Sequence, residues 1–156
     1  MKLKALTLAL MLAPNVLPAW EIYEETDDDG GQWFLADQRG EAGHYLGLVC
    51  YRGETHIEIQ FPYTEGQIDD AVLVFQVDDK PEHLVAGFVE ELDLRTSVFT
   101  GIDRSDRPSA ATPKLLREIA AGQSLYLGDP DAREAVERWS LEGSTKAIRA
   151  IQANCK

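Results

Sequence analysis

Cations are scarce in this 156-residue chain: 15 Lys and Arg stand against 27 Asp and Glu, for a net charge of -12. Duplex nucleic acid and anionic membrane surfaces are therefore excluded as principal partners, because phosphate binding requires clustered Lys and Arg. Histidine is nearly absent, with three residues, and cysteine more so, with two. That leaves no C-x-x-C pair for redox or zinc chemistry. No G-x-x-x-x-G-K, G-x-G-x-x-G or G-x-S-x-G occurs, so nucleotide cradles and the nucleophile elbow are missing as well. Internal repeats and low-complexity blocks are lacking. Past the amino end, no apolar run is long enough to span a bilayer.

The amino end itself is distinctive. Lys2 and Lys4 precede the apolar run Ala5–Ala13, Pro14 and Pro18 break any helix, and Ala19 is a small residue before Trp20. Residues 1–19 read as a secretory signal peptide, too short in its apolar part for a transmembrane helix. Residues 20–156 are then a single domain with charge -14 once Lys2 and Lys4 are lost. Its expected location is periplasmic or secreted. At 44% apolar residues, it can build a core.

Export makes an oxidising environment, and an even pair of cysteines there defaults to one bridge. A strand over His44–Tyr51 puts Leu46, Leu48 and Cys50 on one face. A helix after Ser144 aligns Ala147, Ile148, Ile151 and Cys155. A Cys50–Cys155 disulfide pinning the last helix to the sheet is the expectation.

Hydrophobic patterning predicts strands over Gln32–Asp37, Tyr45–Tyr51, Thr55–Phe61, Ala71–Val77, His83–Val89, Leu92–Thr100 and Gln123–Gly128. A helix is expected after Thr112 as cap with Pro113 at its first position, stopping at Gly122, and a second after Ser144 as cap. The acidic stretch Trp20–Gly31 reads as a solvated lead-in and Gly101–Ala111 as a surface loop. Residues 131–141 are ambiguous: Ala132, Ala135, Val136 and Trp139 fit a helical period, whereas Ala135, Trp139 and Leu141 share a strand face interrupted by Glu137. The expected fold is α+β, mostly an antiparallel, sandwich-like β-sheet with two short helices.

Candidate chemistry is thin. His56 and Glu58 share a strand face, and Asp27, Asp28 and Asp29 lack the alternation of an EF-hand loop. Neither they nor His44 and His83 compose a metal site. The carboxylate pairs Glu90–Glu91, Asp69–Asp70 and Asp78–Asp79 are the one hydrolase signature, but neighbours on a strand point to opposite faces. Trp20, Trp33 and Trp139 could line a sugar or peptide groove, but core packing suits Trp33 and Trp139 better. No catalytic residue, metal ligand or cofactor site is assigned.

The landmarks Leu48–Val49–Cys50, Val77–Asp78, Gly122–Gln123–Ser124–Leu125–Tyr126–Leu127, Trp139–Ser140–Leu141–Glu142–Gly143, Ala147–Ile148 and Cys155, read in order, resemble the small exported bacterial proteins of the VasI/TagO type associated with type VI secretion loci. The resemblance implies an accessory role in a secretion apparatus and favours strand over helix at residues 134–141. The residues themselves support a non-enzymatic, acidic, disulfide-stapled domain that binds another envelope or secreted protein, a basic one included. A small carboxylate-based hydrolase is the remaining alternative.

Overall fold

The computed structural model describes residues 20–26, 32–51, 53–62, 70–93, 96–102, 108–109, 111–128 and 135–155, so the signal segment expected at 1–19 lies outside the described residues. The elements are β1 (Glu21–Thr26), β2 (Gln32–Arg39), β3 (Tyr45–Tyr51), β4 (Glu54–Pro62), β5 (Ala71–Val77), β6 (His83–Asp93), β7 (Thr96–Thr100), α1 (Thr112–Ala121), β8 (Ser124–Gly128), β9 (Ala135–Ser140) and α2 (Ser144–Asn154). The strands pair antiparallel throughout, in the order β1-β2-β3-β4-β7-β6-β5-β8-β9. The fold is α+β, mostly antiparallel sheet with two helices.

Strand β6 organises the sheet. Its first half, from His83 to Gly87, pairs with β5, and its second half, from Phe88 to Asp93, pairs with β7. It leaves one half of the sheet and enters the other at Gly87. A Cβ there would lie 2.1 Å from the Thr100 carbonyl oxygen and 2.7 Å from the Phe99 ring. Only glycine permits so close a crossing, a known device at sheet corners. Leu46, Leu48, Ile57, Ile59 and Phe99 from one half share a core with Phe75, Val77, Val85, Leu125 and Trp139 from the other. Each such side chain contributes about 1.5–3 kcal/mol on burial.

The helices cover this core with the stripes read from sequence: Leu115, Leu116 and Ile119 on α1, and Ala147, Ile148 and Ile151 on α2. Cys50 of β3 and Cys155, just past α2, form a disulfide with Cα atoms 5.3 Å apart. Cys50 alternates onto the same face as Leu46 and Leu48, so the bond ties the last helix to the core side of the sheet.

The cap assignments need correction. Thr112 is the first helical residue rather than the cap, which is Ala111, and no side chain caps α1. The Thr112 amide already donates to the Ser109 carbonyl, and its side chain is turned inward at 1% exposure. Ser144 likewise opens α2 behind Gly143, whose φ of 85° needs no side chain. The Ser144 hydroxyl instead donates to the Ile119 carbonyl at 2.8 Å, and Thr145 donates to Ala120 at 2.6 Å. These two hydroxyls satisfy carbonyls that α1 leaves open in its last turn.

Three strand expectations change. The acidic lead-in is in part an edge strand, since β1 pairs with β2 over its whole length. Its charge run masked the alternation, and that same charge blunts the edge against further pairing. Leu92–Thr100 is not one strand: Leu92 and Asp93 end β6, and β7 begins at Thr96. Within 131–141, Ala135–Ser140 is strand, against the local helical period, because β8 offers a partner edge; residues 129–134 lie outside the described set. In the expected surface loop, Gly101, Ile102 and Ser109 are buried, and the Gly101 amide donates to the Ile57 carbonyl.

Candidate functional site

Alternation along β1–β4, β7 and β6 gives the sheet a second face, opposite the one holding Cys50 and the helices. One row of partners across it runs Glu21, Asp37, Gly47, Glu58 and Thr100. Three of these five are carboxylates. Glu90 faces the same way on β6, opposite Val98. Gly47 leaves a gap between Asp37 and Glu58, into which a Cβ would meet Leu35 at 3.2 Å.

Crowding carboxylates on a half-buried sheet raises their proton affinity. Burial, then Glu21, pushes Asp37 upward. Burial, reinforced by Glu90, pushes Glu58 up to about 7. Tyr23 donates its phenol to Glu21, and that bond leads the causes that hold the phenol near 12. Tyr23 and Tyr45 stand exposed at 38% and 39% beside the row. Of the carboxylates weighed from sequence, Glu90 belongs to this face, whereas Glu91 alternates to the other. The sequence alone marks Glu58 only as a neighbour of His56 on one strand face. Its position opposite Gly47 was the signal, visible once the register is known.

The remaining candidates serve structure. Asp78, at φ 51°, accepts from the Gln123 and Ser124 amides at 2.9–3.2 Å and locks the end of β5 to the start of β8. His83 meets Glu118 at 2.9 Å, joining β6 to α1 and lowering that carboxyl, the hydrogen bond from His83 being the first cause. His56 is buried on the carboxylate face. Trp139 is fully buried and donates its ring N–H to the His44 carbonyl at 3.2 Å, while Trp20 packs on the core and Trp33 is half-buried. Asp27–Asp29 and Asp69 lie outside the described residues.

Among the described residues, the carboxylate with the most hydrogen bonds is one that sequence reading does not single out. Glu137, 2% exposed on β9, accepts from the Ala42 amide at 2.7 Å, the His44 amide at 2.9 Å, the Arg138 amide at 2.8 Å and His44 Nδ1 at 2.8 Å. Burial raises its pKa, but the Ala42, Arg138 and His44 backbone donors and the His44 ring together lower it on balance. Gly40 is obligatory beside it, since a Cβ there would sit 2.5 Å from the Glu137 carboxyl carbon. The break that Glu137 made in the alternation of β9 was the signal. This carboxylate–histidine pair orients a ring as hydrolases do. Yet among the described residues no hydroxyl or thiol is hydrogen-bonded to His44, and the carboxylate spends its capacity holding the β2–β3 turn against β9.

Among the described residues, no group of three or more His, Cys, Asp and Glu is placed to hold a metal ion, and no helix is long and apolar enough to cross a membrane. No family model, curated protein or solved structure matches this chain, so the VasI/TagO resemblance rests on its landmark residues alone.

Proposed function

We propose that this is an exported, non-enzymatic binding domain that presents its carboxylate face to a basic protein of the envelope or exterior. The observation that carries the reading is the row Glu21–Asp37–Glu58 with Glu90, flanked by exposed Tyr23 and Tyr45. Crowded carboxyls gain more from an incoming Lys or Arg than isolated ones do, because the cation relieves their mutual repulsion. Exposed tyrosines supply rigid apolar area around such contacts. The disulfide fits an oxidising compartment.

The test is photo-crosslinking from a reactive residue at Tyr45 in the native host, with and without Glu21→Lys and Glu90→Lys. A single Lys- and Arg-rich product, lost on charge reversal and with added salt, supports the reading. A product indifferent to both, or a protein recovered from the cytoplasm with free thiols, refutes it. The VasI/TagO landmarks support a second reading, as accessory to a secretion apparatus, in which deletion impairs secretion.

A further inference from the structure

The helical layer reverses the sign of the molecule. α1 and α2 carry Lys114, Arg117, Lys146 and Arg149 against Glu118 alone, a net +3 that leaves -15 for the rest of a chain at -12. Glu118 is already engaged by His83 at 2.9 Å and Lys114 at 3.8 Å. Between the two helices runs a groove of about 630 Å³, whose wall includes Leu116, Ala120 and Ile148, with Arg117 and Arg149 flanking it and Glu54 as the one carboxylate among the described lining residues. Both guanidinium groups belong to exposed residues, and neither has an acidic partner among the described residues.

A third feature lies at the amino end of α1. Thr112 lines the groove at 1% exposure, and its Oγ1 is buried with no hydrogen-bond partner among the described residues. Leaving such a hydroxyl unpaired is unfavourable. The same helix end has no side-chain cap and no acidic residue in its first turn, so no residue of the helix itself answers its partial positive charge. Among the described residues, two guanidiniums without an acidic partner and a helix terminus without a cap both favour an anionic acceptor.

The shape decides which kind. Thr112 and Ala120 both line the groove, so it follows α1 for about 12 Å at ~1.5 Å per residue. That is the span of about four residues of extended chain. We propose that the α1–α2 groove binds a short acidic segment of a partner protein, one apolar side chain covering Leu116 and Ile148 and flanking carboxylates meeting Arg117 and Arg149. Guanidinium suits that task because its planar fork engages a carboxylate through two hydrogen bonds. The site lies on the core side of the sheet, opposite the carboxylate face, so either interaction can fail without the other.

The experiment uses the full exported chain with its disulfide intact, and fluorescein-labelled Glu-Asp-Leu-Asp-Glu, Glu-Asp-Gly-Asp-Glu and Lys-Lys-Leu-Lys-Lys peptides read by polarisation. Saturable binding of the leucine-containing acidic peptide is expected, weakened about tenfold or more by Arg117→Glu with Arg149→Glu and by raising salt from about 0.05 to about 0.5 M. The glycine peptide should bind more weakly, and the lysine peptide should not compete. Equal binding of all three peptides, or binding unchanged by the double variant at an unchanged Tm, overturns the proposal. So does salt-sensitive self-association abolished by the double variant, which assigns the groove to a second copy. If the double reversal unfolds the chain, Arg117→Gln with Arg149→Gln takes its place with the same outcomes.

Discussion

Glu58 provides the sharpest quantitative prediction, because one substitution should change how stability depends on pH. Its carboxyl titrates at about 7 in the fold against 4.5 for the free group. The protonated form is thus the one the native state prefers. The stabilisation it brings is complete below about 4.5 and is lost as pH rises through about 7. A displacement of that size corresponds to about 3 kcal/mol between protonation states, and residual solvent contact reduces it to about 2–3 kcal/mol. Glutamine keeps the shape and hydrogen-bonding reach without the charge, so Glu58→Gln should leave stability near pH 5 almost unchanged. Near pH 8.5 it should make the protein more stable than the wild type by about 2–3 kcal/mol. Urea unfolding followed by tryptophan fluorescence at both pH values gives the double difference directly, and titrating groups not coupled to Glu58 cancel in it. Parallel pH profiles for wild type and Glu58→Gln would refute the claim that burial and Glu90 hold this proton.

Reducing the disulfide, or Cys155→Ala, should lower stability by on the order of 4–5 kcal/mol in the chain-entropy limit for a separation of 105 residues, seen as a large fall in Tm with reductant. Glu137→Gln turns an amide group toward amide donors and should cost about 2–3 kcal/mol. Its carboxyl is lowered in the fold, so its stabilisation is present above the usual carboxylate range and lost as pH falls through the lower native value. An acid-unfolding midpoint unchanged by Glu137→Gln would contradict that. Gly87→Ala places a carbon 2.1 Å from the Thr100 carbonyl, and the forced separation of β6 from β7 should cost about 3 kcal/mol or more by denaturant titration.

Local chemistry made much of this molecule readable in advance. The alternation of Ile57 and Ile59, the apolar run Ala71–Val77 and the stripe Ala147–Ile148–Ile151 each state their element and buried face, because period and burial are properties of consecutive residues. The Cys50–Cys155 pairing follows from there being only two cysteines, each on an apolar face. Where a side chain's partner is remote, the chain was silent or misleading. Ser144 looks like the cap of α2 but, together with Thr145, answers the carbonyls of α1, some 25 residues earlier. Glu137 looks like an interruption of a strand until the β2–β3 turn brings two backbone N–H groups and a histidine ring to it, from residues as far as 95 positions away. Composition set the charge at -12, but only pairing register gathered Glu21, Asp37 and Glu58 into one row, and only helix packing set Arg117 and Arg149 along one groove. Sign and periodicity are additive along a chain, whereas proximity between distant segments exists only once the sheet has chosen its order of strands.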